Sequence, residues 1–343
     1  MQTVKTILAA LAATAMTIPV AACAQSSLSF DGYLELVAAK ARGEGVSEGA
    51  IRQVIDGLTY NERVVRFDQS QPGSTTSSNS SSFPAFQPYY RRTVTQDRID
   101  GGRRTLARYR SIAQQVERES GVPAEILVAI WGKESAYGAV KGDFDLARSL
   151  ATLAYEGRRR ELFEPELIAL MKMVDRGVPR SQLVGSWAGA FGNPQFLPTV
   201  YLRLAQDGDG NGVADIWNSA HDTLASIARY FVDAGWERGS PWGVPATVPS
   251  GFDRSVFANP MTAPYCPRVH ERHAPWRTVA EWRALGIRPQ QAIADDTLVS
   301  LIEPDGPGNT AYLLTRNYHT ILEYNCSNYY ALGVGLLANE IAR

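Results

Sequence analysis

Glu134 is the residue of this chain best suited to move a proton. It lies in the run Ala-Glu-Ile-Leu-Val-Ala-Ile-Trp-Gly-Lys-Glu-Ser-Ala-Tyr-Gly, residues 124–138, whose apolar spacing predicts an amphipathic helix. Leu127, Ile130, Trp131 and Glu134 stand at i, i+3, i+4 and i+7, so the carboxyl shares a stripe with bulky apolar side chains. Beside Trp131 and Tyr137 the carboxyl loses water. Burial disfavours its charged form and raises its pKa, which lets it keep a proton near neutral pH and act as a general acid. The same spacing also accommodates an ordinary helix-end glutamate turned to solvent or paired with an arginine. The nearest other carboxylates, Asp143 and Asp145, each suit a helix cap.

A second pattern could hold a cation. In Asp-Gly-Asp-Gly-Asn-Gly-Val-Ala-Asp-Ile-Trp-Asn, residues 207–218, oxygen side chains occupy loop positions one, three, five and nine (Asp207, Asp209, Asn211, Asp215). Gly212 takes the sharp turn at position six, and Val213 can offer its carbonyl at position seven. This is the EF-hand order for Ca²⁺, a hard ion that seeks six to eight oxygens. Asn218 stands at the last position where a bidentate glutamate is usual, which predicts weaker binding. An Asp/Gly/Asn turn without metal gives a similar pattern.

Two further stretches suit a polar, uncharged ligand. Residues 185–198, Gly-Ser-Trp-Ala-Gly-Ala-Phe-Gly-Asn-Pro-Gln-Phe-Leu-Pro, combine small residues that admit close approach with Ser186, Asn193 and Gln195 as hydrogen-bonding groups. Trp187, Phe191 and Phe196 add flat apolar surface. Residues 323–330, Glu-Tyr-Asn-Cys-Ser-Asn-Tyr-Tyr, bring aromatic rings and amides together. A Gly-rich turn between packed helices and an ordinary polar interface account for the same residues.

These groups need elements to position them. The 343 residues, 45% hydrophobic and 20% charged, are those of a globular chain of one large or two ordinary domains. A net charge of −1 leaves no basic footprint for nucleic acid. Periodicity predicts helices over 28–58, 98–120, 124–138, 146–155, 164–176, 223–234 and 329–341, and strands over 297–302 and 310–315. The serine-rich stretch 73–82 reads as a connector. Lys5 followed by an apolar run over 7–20 and small residues at Ala21, Ala22 and Ala24 reads as an export signal over 1–24. Val-Ala-Ala-Cys ending at Cys23 resembles a lipobox, which predicts a lipid anchor on Cys23; cleavage before Gln25 is the other reading. Of the three cysteines, Cys266 and Cys326 remain, an even pair in a compartment that permits a disulfide. Two buried thiols are the alternative.

Taken together, from about Tyr89 to the end, the chain resembles the membrane-bound lytic murein transglycosylase B family, glycoside hydrolase family 103. Gly-Lys-Glu-Ser-Ala-Tyr-Gly at 132–138 is similar to that family's catalytic segment, with Ser135 where a threonine is usual. Residues 151–155, 185–192, 195–198, Gly235-Trp236 and the calcium loop also look like family stretches in the right order. The resemblance implies an α+β, mostly helical fold. It would have a lysozyme-like core over 98–245 containing the EF-hand-type calcium loop, after an N-terminal helical segment over 25–97. A small β-containing C-terminal part over 246–343 would complete a glycan groove. It implies Glu134 as the single catalytic acid/base, with Tyr89, Ser186, Gln195, Tyr230, Tyr324, Asn325 and Tyr330 lining the sugar site. Leu162 stands where the family can carry a groove tyrosine.

The expected reaction is cleavage of the MurNAc–GlcNAc bond of peptidoglycan to 1,6-anhydroMurNAc products, by a periplasmic monomer with structural Ca²⁺ and no catalytic cofactor. A hydrolytic muramidase, whose products are heavier by one water, is the first rival. A non-catalytic, calcium-stabilised peptidoglycan-binding lipoprotein, which binds sacculi without releasing muropeptides, is the second.

Overall fold

This computed structural model describes residues 28–71, 84–258 and 266–343. The expected export segment, Cys23 and the serine-rich stretch lie outside the described residues.

The helix that carries Glu134 is Ala124–Ser135. Pro123 enters it in an extended conformation (φ −57°, ψ 139°), its fixed φ and missing N–H suiting a helix start. The expected amphipathic character does not hold. Ile126, Leu127, Val128, Ala129, Ile130, Trp131 and Gly132 are all buried, because apolar residues occupy every side of the helix and not one stripe. Helices Gln96–Arg108, Arg110–Ser120, Ala220–Asp233 and Asn328–Ala342 surround it. The helix also stops earlier than expected, at Ser135. Ala136 (φ 49°) and Tyr137 (φ 61°) turn left-handed before Gly138 (φ 89°). That conformation is costly for side chains with a Cβ. Docking of the Tyr137 ring offsets the cost: its hydroxyl donates to Arg98 O (2.6 Å), and its ring fills a slot that only glycines at 101, 102 and 132 leave open. A Cβ at any of the three would sit 2.5–2.8 Å from it.

A second core joins helices Leu146–Glu156 and Arg160–Asp175 to the N-terminal helices Phe30–Gly43 and Glu48–Ile55, with Phe191 and Phe196 of the Gly-rich loop. The helix expected over 28–58 is split because Gly45 (φ 84°) turns the chain and Ser47 caps the next helix by accepting from Ala50 N. The one expected over 98–120 breaks at Tyr109.

The third core belongs to a five-stranded antiparallel sheet, in the order Arg277–Thr278, Leu298–Ile302, Ala311–Leu314, Gly243–Thr247, Arg288–Pro289. Gly243–Thr247 was not legible as a strand, since a proline inside the run argues against one. Here Pro245 pairs with Tyr312, and the Pro245 carbonyl accepts from Gln290 N (2.8 Å).

Candidate active site

The first and second cores meet at the Glu134 end of its helix. Ser135 Oγ donates to Asn193 O (2.8 Å), and Tyr324 Oη donates to Pro194 O (2.6 Å). Both contacts pin the Gly-rich loop against the first core, and the Tyr324 ring packs on both cores. The loop is itself held in shape by hydrogen bonds from Phe191 N to Phe196 O (2.9 Å) and from Asn193 Nδ2 to Thr223 Oγ1 (2.9 Å).

At this seam Glu134 is half-buried, and Tyr330 Oη donates a hydrogen bond to its Oε1. Burial pushes the Glu134 carboxyl up to about 7, against the opposing pull of the Tyr330 hydroxyl and the Lys133 ammonium. Glu134 in turn helps to raise Tyr330, Tyr324 and Tyr89, in each of which burial is the larger cause. The tyrosines around the carboxyl are therefore these three; Tyr137, expected beside it, is docked in the glycine slot.

The other expected sugar-site residues come from separate helices and from the Gly-rich loop. Tyr89 Oη accepts from Lys133 Nζ (3.0 Å). Tyr230 packs on Tyr324 with ring centroids 4.6 Å apart, and its hydroxyl donates to Glu323 O (2.8 Å). Ser186 Oγ accepts from Ala190 N (3.0 Å). Gln195 is a non-glycine residue at positive φ (52°), with its amide donating to Gly192 O (2.9 Å). Such backbone strain, held by surrounding bonds, is common where a side chain must be aimed. Asn325 is exposed just past helix Arg316–Tyr324, and Leu162 is exposed on helix Arg160–Asp175. Lys133 was not singled out from the sequence, where a lysine near a helix end reads as a solvated charge. It is half-buried, over the Tyr89 ring (4.8 Å) and near that of Tyr330 (5.7 Å).

In the acidic loop, Asp207 accepts from Asn211 N (3.0 Å) and Gly212 N (2.7 Å). These amides, Gly212 first, hold its carboxyl below the ordinary value. Oxygens of Asp207, Asp209 and Asp222 lie within 4.8 Å of one another. That span fits one cation with oxygens about 2.3–2.6 Å away on opposite sides. Asn211 Oδ1 accepts from Val213 N (2.9 Å), which tightens the turn. Asp215 and Asn218 engage each other instead, Asn218 Nδ2 donating to Asp215 Oδ2 (3.2 Å). The third carboxylate of the cluster is Asp222, fully buried and accepting from Gly208 N (2.8 Å) and Asp215 N (2.7 Å). It escaped the sequence reading because it lies beyond the twelve-residue loop, in the first turn of helix Ala220–Asp233. Cys266 and Cys326 form a disulfide with Cα atoms 5.3 Å apart.

The chain is similar to known proteins along most of its length. The family described as "Transglycosylase SLT domain" matches residues 29–339. Membrane-bound lytic murein transglycosylase B of Escherichia coli (strain K12) is 29% identical over 308 residues, 87% of this chain and 79% of that protein. The structure of SltB3 from Pseudomonas aeruginosa in complex with NAG-anhNAM-pentapeptide is 34% identical, with a TM-score of 0.80 over 92% of this chain and 80% of that one. That of the Escherichia coli lytic transglycosylase Slt35 in complex with calcium is 27% identical, with a TM-score of 0.71 over 90% of this chain and 92% of that one. With the family match running through all three cores, the chain belongs to the transglycosylase SLT domain family.

Proposed function

We propose that this chain cleaves peptidoglycan strands with Glu134 as the single residue that gives and then retakes a proton. The chain is an enzyme, a lytic transglycosylase of murein, and its mostly helical fold is lysozyme-like. The observation that supports Glu134 is a carboxyl held up to about 7 by burial, with one tyrosine hydroxyl on it. Burial, the Tyr330 hydroxyl and the Lys133 ammonium set its titration. The paired carboxylates of most glycosidases stand roughly 5–9.5 Å apart, and a partner at the near end of that range would push Glu134 further up.

In this reading, neutral Glu134 protonates the glycosidic oxygen between N-acetylmuramic acid and N-acetylglucosamine. The muramic 2-acetamido carbonyl stabilises the positive anomeric carbon. Glu134, now a carboxylate with the Tyr330 hydroxyl on it, accepts the proton of the muramic C6 hydroxyl. That oxygen closes the 1,6-anhydro ring, and no water is consumed. Tyr89, Ser186, Gln195, Tyr230, Tyr324 and Asn325 would line the sugar site around it.

A structural Ca²⁺ fits Asp207, Asp209 and Asp222, with Asn211 and the Val213 carbonyl as further oxygens and Asp215 behind them. It would supply charge neutralisation for a turn that is otherwise self-repelling. The same reading makes the protein a periplasmic monomer, with Cys23 as a lipid anchor. The core over 98–245 would be flanked by the 25–97 and 246–343 parts. No helix among the described residues is long and apolar enough to cross a membrane.

The test is Glu134→Gln on purified sacculi. Cleavage should fall by about 10²–10⁴-fold or more while glycan binding persists, and the parental products should be lighter than hydrolysed ones by one water. Parental-rate clearing by the variant would remove Glu134 from its role.

A further inference from the structure

Lys133 is an unusual cation. It is half-buried next to the acid, and among the described residues no carboxylate lies within ion-pairing distance of its ammonium. Its solvation comes from the Tyr89 hydroxyl at 3.0 Å and from the faces of Tyr89 (4.8 Å) and Tyr330 (5.7 Å), contacts that replace part of a hydration shell. The charged and titratable groups facing it come from four helices: Arg98 on Gln96–Arg108, Tyr89 on Gln87–Thr93, Tyr330 on Asn328–Ala342, and Glu134 on its own helix. Glu134 is the one anion in that set.

We propose that Lys133 is a positioning residue for the reaction: its ammonium stabilises the Glu134 carboxylate left after the first proton transfer, so that one side chain can be both a competent acid and a competent base. This rests on the reading of Glu134 as the acid/base. Removing water from a carboxylate would by itself make Glu134 so reluctant to release its proton that the first step slows. Lys133 and the Tyr330 hydroxyl are the two groups that oppose this. The dependence is mutual. Burial and Arg98 press the Lys133 ammonium down to about 8, and ionised Glu134 resists that pressure. Each group therefore holds its charge best when the other is charged. Tyr89 and Tyr324 are phenols that sense the same carboxylate, and they are neutral at the pH where the two groups titrate.

The experiment is the pH profile of kcat/KM for Lys133→Met and Lys133→Arg on sacculi. In Lys133→Met the alkaline limb should move up by about one pH unit or more. In Lys133→Arg, which keeps a permanent charge, it should stay near the parental position even if the rate falls. A limb that does not move in a folded Lys133→Met protein overturns the proposal, because lost packing would change the rate or KM and not the limb. A second measurement needs no substitution at 133. The Glu134 carboxyl resonance of the ¹³C-glutamate-labelled parent, identified by its loss in Glu134→Gln, should show two inflections, its own and one as Lys133 deprotonates. A single inflection overturns the coupling. An active Glu134→Gln protein is a different result: it defeats the function assigned to Glu134, whereas an inactive one together with an unmoved limb defeats only the role of Lys133.

Discussion

Glu134 titrates near neutrality because its carboxyl loses water and receives only a hydroxyl and one neighbouring ammonium in return. That imbalance has a stability consequence. Its folded pKa, about 7, lies above its unfolded value, so the folded state binds the extra proton. Stability from this group is fully present below the unfolded pKa and is lost as pH rises through the folded one. Glutamine cannot ionise and can still accept from Tyr330. Glu134→Gln should therefore be more stable than the parent at pH 8, by up to about 3 kcal/mol, with the difference vanishing near pH 4. Denaturant melts at the two pH values check this; equal gaps at both would contradict the burial argument. Tyr330→Phe removes the donor to Oε1. A hydrogen bond to a charged group contributes about 1.5–3 kcal/mol, so kcat should drop by about tenfold or more with the fold retained, as measured by steady-state rates alongside a melting curve.

At the scale of elements, the site depends on where helices stop. Glu134 faces the seam because Ala124–Ser135 ends one residue later, and it ends there because Tyr137 finds a slot made by three glycines. A pattern of helical periodicity could locate the helix but not this slot, which draws Gly101 and Gly102 from another helix. The short ladder of Phe144–Asp145 with Val184–Gly185 anchors the start of the Gly-rich loop. Gly142 stands beside it at φ 90°, where a Cβ would collide with the Gly185 carbonyl. Gly142→Ala should cost more than about 2 kcal/mol, combining left-handed strain with displaced backbone. It should also lower activity by shifting Ser186; an unchanged melting temperature would show that the loop has room.

For the whole molecule, two crosslinks stand apart from the chemistry. The Cys266–Cys326 bridge spans 60 residues of sequence and ties the segment before helix Pro267–His270 to the turn after Tyr324. Its reduction should cost about 2–4 kcal/mol, read as a lower denaturant midpoint under reducing conditions. For the acidic loop, a cation bound only by the folded state stabilises by mass action. Chelation should thus lower the melting temperature of the parent and leave Asp222→Asn, already deprived of the buried ligand, unmoved. A parent indifferent to chelator would remove the metal.

The residue types and order of this chain carried a carboxyl among apolar residues, the Asp/Asn/Gly loop and the mostly helical class, because each is written in local spacing; the cysteine pair followed from number and compartment, and the acid/base role of Glu134 from the family resemblance. Tertiary structure decided which partners close on those residues. Tyr330 reaches Glu134 from 196 residues further along the chain, Asp222 joins Asp207 from outside its loop, and Gly243–Thr247 becomes a strand despite Pro245 because Ala311–Leu314 lies beside it. Short-range periodicity reports what a segment can bury. Only packing between distant segments fixes which groups lose their water and which gain a partner.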